Sequence, residues 1–365
     1  MLFVGVMTGT SVDGLDVALL DLPNDLKPQA ARTVPFPQSL RERLVALTSP
    51  KDDEIVRMGE ADVQLGNFIA ATCLDFIAAL GIDAIEIRAI GSHGQTIRHH
   101  PNANFPFSVQ IGNAHVIAET TGIDVVADFR GRDIAAGGQG APLVPTYHDA
   151  LFGDDELSRV IVNIGGIANV TILSQEDHSF RGFDTGPGNA LLDAWTQECR
   201  NEPYDTQGAW ASSGEIHEPL LMQLLNDPYY QKIPPKSTGK EHFNLPYVRD
   251  HITDFPNIPP EDVQATLVEL TNRTITSAID QHAPACNDVV VCGGGRLNDY
   301  LMDRLKALNQ KRAIQSSESL GIDGDAIEAA AFAYLAWQFI ERLPGNQPKA
   351  TGADGLRVLG CLYPA

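Results

Sequence analysis

Cysteine is scarce in this sequence. The five present (Cys73, Cys199, Cys286, Cys292 and Cys361) are widely separated, odd in number and contain no CxxC pair. That excludes a disulfide framework or a cysteine zinc site, and it fits a reducing cytosol. Basic residues are also few: 26 Lys and Arg against 47 Asp and Glu, a formal net charge of −21 at pH 7. A nucleic-acid backbone or an anionic membrane would be repelled, so neither is an expected partner. An anionic small ligand would have to be held by a local group of arginines, lysines or backbone N–H groups. No apolar run approaches the ~18 residues of a membrane span. The opening Met1–Met7 lacks the basic flank of a signal peptide and soon meets Asp13 and Asp16, so it reads as a strand. The expected location is the cytoplasm.

What is present is ordinary for a soluble globular protein: 43% hydrophobic and 20% charged residues in a chain of 365. At ~150 residues per domain that length suits two domains. Two strands, 2–7 and 15–22, flank a Thr/Gly/Ser/Asp loop and form a hairpin. Such a loop can cradle phosphate, and Asp13 and Asp16 suit a phosphate carrying Mg²⁺; a plain polar turn is the alternative. Helices are expected over 37–48 and 53–80, then a strand over 82–90 ending in the small-residue turn Gly91–Thr96, which displays Ser92, His93, Gln95 and Thr96. With His99 and His100 these histidines lack metal-ligand spacing, which favours a hydrogen-bonding turn. A helix over 113–121 and a buried strand over 123–129 lead to Arg130. In so acidic a chain, two arginines at a strand end, Arg130 and Arg132, are a candidate anion clamp. A salt bridge from Arg132 to Asp133 is the alternative, and Arg130 is preferred because it directly follows the strand. The Gly/Ala/Pro stretch 135–145 reads as a crossing between domains.

Residues 159–173 repeat the opening layout: Val162-Asn163-Ile164-Gly165-Gly166 against Val4-Gly5-Val6-Met7-Thr8-Gly9, each followed by an apolar return strand. A hairpin at the head of each half implies two like domains with a cleft between them. The segment 226–260 reads as an ordered loop over that cleft, with Lys236 and Lys240 near phosphate or in solvent. Helices are expected over 262–282 and 298–308. A strand over 288–292 runs into Gly293-Gly294-Gly295, a turn that lets a flat ring or a phosphate approach the backbone. Gly324-Asp325-Ala326-Ile327-Glu328 opens an Ala-rich helix, where Asp325 and Glu328 also match a capping box. A strand over 356–362 returns to a sheet.

The focal stretch is Gly182-Phe183-Asp184-Thr185-Gly186-Pro187-Gly188-Asn189, read as a strand-to-helix turn with Asp184 at its centre. Unpaired N–H groups at a helix start would keep Asp184 at a low pKa and ionised, ready to accept a proton from a nucleophile. The alternative is that Asp184 accepts only turn hydrogen bonds while Asn189 caps the helix.

The layout resembles the actin/hexokinase/Hsp70 ATPase superfold. The strings Gly9–Asp16, Ser92–Thr96, Asp128-Phe129-Arg130, Gly182–Asn189 and Lys236–Gly239 resemble the anhydro-N-acetylmuramic acid kinases and span nearly the whole chain. The resemblance implies an α/β, two-domain actin-like (ribonuclease H-like) fold with a central interdomain cleft. The first domain would be 1–130 plus about 338–365, and the second 131–337. It implies a kinase that opens the 1,6-anhydro ring with water, phosphorylates O6 and uses ATP and Mg²⁺. Asp184 is then the catalytic base. Gly9, Thr10, Ser11, Val12, Asp13, Gly14, Leu15 and Asp16, with Gly165, Gly293, Gly294 and Gly295, hold the nucleotide. Ser92, Gln95, Arg130 and Glu328 hold the sugar, with Arg130 on its lactyl carboxylate. Two departures leave the metal ligands unassigned: no Asp precedes Gly9, and Asn163 stands where the second loop often has Asp. An ordinary amino-sugar kinase and a nucleotide-gated actin-like regulator are the competing readings, and a homodimer is left open.

Overall fold

The apolar run Leu2–Met7 forms β1, and its inner residues Phe3, Val4 and Val6 are fully buried. A strand covered on both faces needs such a continuous run instead of alternation. In the computed structural model, which describes residues 1–9, 12–154, 157–174 and 179–365 (Ser179 by its backbone only), the chain divides into two units. One is Met1–Leu151 with Asp325–Ala365; the other is Phe152–Gly324.

In the first unit β1 is antiparallel to β2 (Gly14–Asp21), which pairs in turn with β3 (Asp25–Pro35). On its other side β1 is parallel to β4 (Ile87–Ser92). β5 (Gln95–His100) and β6 (Phe107–Ile111) make a separate hairpin. β7 (Val125–Ala127) is parallel to β4. In the second unit β8 (Arg159–Ile164) is antiparallel to β9 (Ile167–Ser174), and β9 to β10 (Ser179–Pro187). β11 (Asp288–Cys292) lies parallel to β8, and β12 (Ala313–Ser316) parallel to β11. Both sheets therefore run third-second-first-fourth-fifth, and β13 (Cys361–Tyr363) adds an antiparallel edge to β7. The duplicated order is the two-domain actin-like α/β fold expected from the repeated hairpin.

An Ala-rich helix, Ile327–Ile340, covers β1, β2 and β4. It lies so close that a Cβ at Gly5 would sit 1.9 Å from the Ala329 carbonyl oxygen, and one at Gly91 would sit 2.0 Å from that of Phe332. Gly5 and Gly91 are neighbours across the β1–β4 ladder. The bare strand pair and the small helix face fit one another, and each makes sense of the other's composition.

The crossings fall at 151/152 and 324/325, not near 130 and 337. The glycine-rich stretch stays inside the first unit, because Gly140 N–H donates to the buried Asp133 carboxylate. The helix Pro145–Phe152 stays there too as far as Leu151, with Tyr147 Oη donating to Leu26 O at 2.6 Å. β3 was not among the expected elements. It carries polar residues and Pro28, and an edge position is where a strand tolerates both. No helix among the described residues is long and apolar enough to cross a membrane.

Candidate active site

The focal stretch is strand, not turn. Asp184 lies within β10 opposite Asn169 of β9, next to a register shift between Asp184 and Gly186. The helix Asn189–Arg200 begins after Gly188, and Asn189 does not cap it; its side-chain amide donates to Ile164 O. The N–H groups of Gly188, Asn189 and Ala190 are occupied by the carbonyls of Gly166, Gly165 and Gly166, at 3.0, 2.8 and 3.0 Å. The helix start therefore locks the β8–β9 turn and does not serve Asp184.

Asp184 takes its partners from the segment after Pro228. Its N–H donates to Lys236 O at 3.1 Å. Its Oδ2 accepts from Thr238 N–H at 2.9 Å, and its carbonyl accepts from Tyr229 Oη at 2.7 Å. Residues 236–238 thus extend the sheet edge and fix the carboxylate through one oxygen. Burial pushes the Asp184 carboxyl up to about 7. The Thr238 N–H opposes this, Glu241 adds to it, and the Lys236 charge opposes it. The expectation of a low pKa is therefore corrected: one N–H does not offset the lost hydration. Lys236 itself sits with Nζ 4.8 Å from the Tyr229 ring centroid, and burial lowers its pKa. Neither Tyr229 nor the backbone of 236–238 was legible beforehand; the string Lys236–Gly239 drew attention to its lysine, whereas its peptide groups make the contacts.

Asp184 is three residues from the end of β10, and Pro187 pairs with Ile167 beside the Gly165-Gly166 turn. Cys292, at the end of β11, pairs with Asn163 at the end of β8. Asp184, Gly165 and Gly293–Gly295 thus gather at one end of the sheet, beyond the carboxyl ends of its parallel strands, where open α/β sheets bind ligands. The Lys240 side chain passes over the Gly165-Gly166 turn, its Cε 2.9 Å from where a Cβ on Gly166 would be. Gly293 has φ +75°, and a Cβ there would lie 2.3 Å from Asn163 Oδ1 and 2.9 Å from the Ile164 backbone. Gly293→Ala should therefore lower stability by about 1–3 kcal/mol, read as a lower urea midpoint. An unchanged midpoint would mean that Asn163 swings aside freely.

The first unit gathers its candidates in the same way. Ser92 closes β4 opposite Val6, and His93 N–H donates to Val6 O. Thr8 Oγ1 donates to Gly94 O at 2.8 Å, which joins the first loop to the Ser92–Gln95 turn. Ser92 Oγ and Gln95 Oε1 are buried and have no hydrogen-bond partner among the described residues. Buried polar atoms are nearly always paired, so these two orphans are candidates for contact with a polar ligand. Arg130 follows β7 and donates through Nη1 to Gly140 O at 2.6 Å. Burial lowers its pKa to about 10, while Glu328 and Asp133 pull it upward, so it stays charged at neutral pH. The helix that follows has Ala326 as its N-cap, and Glu328, in its first turn, lies in the field of Arg130.

Of the first phosphate segment, Thr10 and Ser11 lie outside the described residues. Gly9 accepts Val12 N–H, and Val12 is buried with φ 54°, a strained value for a β-branched residue. Asp13 is exposed, while Gly14, Leu15 and Asp16 already belong to β2. Leu15 is fully buried in the core, and Asp16 Oδ1 accepts from Thr33 Oγ1 at 2.6 Å. Among the described residues no cluster of three or more His, Cys, Asp or Glu is arranged to hold a metal.

A family model described as anhydro-N-acetylmuramic acid kinase matches residues 1–365. A relative of that name from Pseudomonas paraeruginosa is 48% identical over 363 residues, covering 100% of this chain and 99% of the relative. Another, from Coxiella burnetii, is 46% identical over 362 residues, covering 99% and 97%. Among solved structures, a ROK family glucokinase from Streptomyces griseus in complex with glucose and AMPPNP aligns with a TM-score of 0.40 and 13% identity, over 93% of this chain and 100% of that chain.

Proposed function

The chain belongs to the anhydro-N-acetylmuramic acid kinase family, and from that premise we propose how its residues divide the reaction. The enzyme uses water and ATP to convert 1,6-anhydro-N-acetylmuramic acid to N-acetylmuramic acid 6-phosphate and ADP, a step of peptidoglycan recycling. Water adds to C1 and loses a proton, the C1–O6 bond breaks, and O6 takes the γ-phosphoryl group from ATP.

Asp184 is the base that takes the proton from water. The observation that carries this assignment is its carboxylate, held through Oδ2 by Thr238 N–H, with burial bringing the carboxyl to about 7. A base works best when its pKa lies near the working pH, and such a group typically contributes ~10²–10⁴ in rate. An ordinary inverting glycosidase also needs a second carboxyl to protonate its leaving oxygen. Here phosphoryl transfer captures O6, so positioning and charge neutralisation do the remaining work.

Ser92 and Gln95 hydrogen-bond the sugar, Arg130 pairs with its lactyl carboxylate, and Glu328 is a further sugar contact. Gly9–Asp13, Gly165 and Gly293–Gly295 receive the nucleotide, whereas Gly14 and Leu15 are held in β2 and only support the loop. Mg²⁺ takes one or two carboxylates beside phosphate oxygens. Exposed Asp13 and the nearby Asp16 would be the residues to hold it. When bound, the ion neutralises phosphate charge.

The test is turnover of the anhydro sugar with Mg·ATP in ¹⁸O-labelled water. The label should appear at C1 of the product, because water supplies that oxygen. A sugar kinase that phosphorylates only a free hydroxyl leaves the anhydro sugar untouched, and that result would refute the assignment.

A further inference from the structure

His93 has no role in the division above, yet it is buried and in direct contact with Arg130. Arg130 Nε lies 3.1 Å and Nη2 lies 2.8 Å from His93 Nε2. A guanidinium only donates, so Nε2 must be the bare, accepting nitrogen, and the imidazole proton resides on Nδ1. We propose that His93, neutral and protonated on Nδ1, is the positioning residue that sets the Arg130 guanidinium for a sugar carboxylate. It thereby helps the enzyme select the acidic sugar. This rests on the reading of Arg130 given above.

The donor count supports it. Arginine has five N–H groups. His93 engages Nε and one hydrogen of Nη2, and Gly140 O engages one hydrogen of Nη1. One N–H remains on each terminal nitrogen, and these are the donors left for a carboxylate. Without an acceptor at Nε the guanidinium can turn about its stem and offer a different edge.

His93 is itself well fixed. Its N–H bonds to Val6 O, and its ring lies against Phe332 with centroids 4.6 Å apart. Burial and the charge of Arg130 hold its pKa well below the usual histidine value, against the pull of the Gly94 carbonyl. The charged groups around this cluster are Arg130, with Glu328 and Asp133 in its field; His99, lowered to about 4, is a neutral titratable neighbour. His93 Nδ1 is buried without a partner, as are Ser92 Oγ and Gln95 Oε1 beside it. The unpartnered atoms thus belong to the turn that holds Arg130 in place.

Steady-state kinetics on three full-length variants, supported by a spectrum of the parent protein, test the inference. His93→Leu should raise KM for the anhydro sugar ~10-fold, with kcat and KM for ATP within ~2-fold of the parent. His93→Gln, which restores an acceptor, should recover most of that loss. In competition with the 1,6-anhydro sugar lacking the lactyl group, His93→Leu should lose its preference for the acidic sugar. Arg130→Ala separates the two levels. If it leaves KM unchanged, the carboxylate is held elsewhere and the Arg130 reading fails. If it raises KM while His93→Leu does not, the Arg130 reading stands and the His93 inference is overturned. Nitrogen NMR of the parent protein, which needs no variant to fold, should show His93 protonated at Nδ1 and not titrating near neutral pH. A proton on Nε2, or titration in that range, would overturn it as well.

Discussion

Asp184→Asn should lose ~10³-fold in kcat while keeping its fold. The amide oxygen can still accept the Thr238 N–H, and the backbone bonds to Lys236 and Tyr229 do not involve the side chain. What disappears is the ability to take a proton from water. In the parent, kcat/KM should fall as pH drops through about 7, because the carboxyl becomes protonated there. Stability should respond in the opposite sense. The folded pKa stands above the unfolded value, so the native state holds the proton more tightly. Its contribution is complete below about 4 and is lost as pH rises through about 7. The Asn variant escapes that loss and should melt higher than the parent at pH 8.5, by an amount on the order of a few kcal/mol. The advantage should vanish in acid. Ordinary turnover in the variant would mean that another group activates the water. Equal melting temperatures at both pH values would mean that the carboxyl is well hydrated.

Gly91→Val should be the most damaging single change in the first unit. A Cβ there falls 2.0 Å from Phe332 O and 3.0 Å from Ala336 Cβ, and backbone cannot give way as a flexible side chain can. The helix Ile327–Ile340 would have to lift off β4, at about 3 kcal/mol or more. It carries Phe332, which packs against both His93 and Phe129, so sugar binding should weaken along with stability. Urea unfolding followed by the emission of Trp337 on that helix is the direct measurement. A variant as stable as the parent would show that helix and strand do not meet as closely as described.

The strands and helices with a clear period could be read in advance: the apolar runs of β1, β8 and β11, and the long helix Pro260–His282, depend on local pattern. The duplicated hairpin was legible because turn chemistry repeats in both halves. The environment of Asp184 was not. Its three partners lie 45 to 54 residues away in sequence and use a phenol, a carbonyl and an amide, which no motif announces. The stretch 135–145 misled because small residues look like a linker, whereas here they let Gly140 wrap around the buried Asp133 and meet Arg130. At Glu328 a local spacing rule pointed to a cap, but no spacing rule could announce that a distant arginine shares its surroundings.

The first unit takes its covering helix and the edge strand β13 from Asp325–Ala365, whereas the second unit is one continuous segment. During translation, Phe152–Gly324 is complete before the sheet built on β1 and β4 has its cover. Domains usually finish in the order in which they leave the ribosome; here the segment made second can finish first. Until residues 327–340 emerge, the glycine-lined face of that sheet stays wet, and a nascent chain stalled in this interval is the form for a holding chaperone to shield.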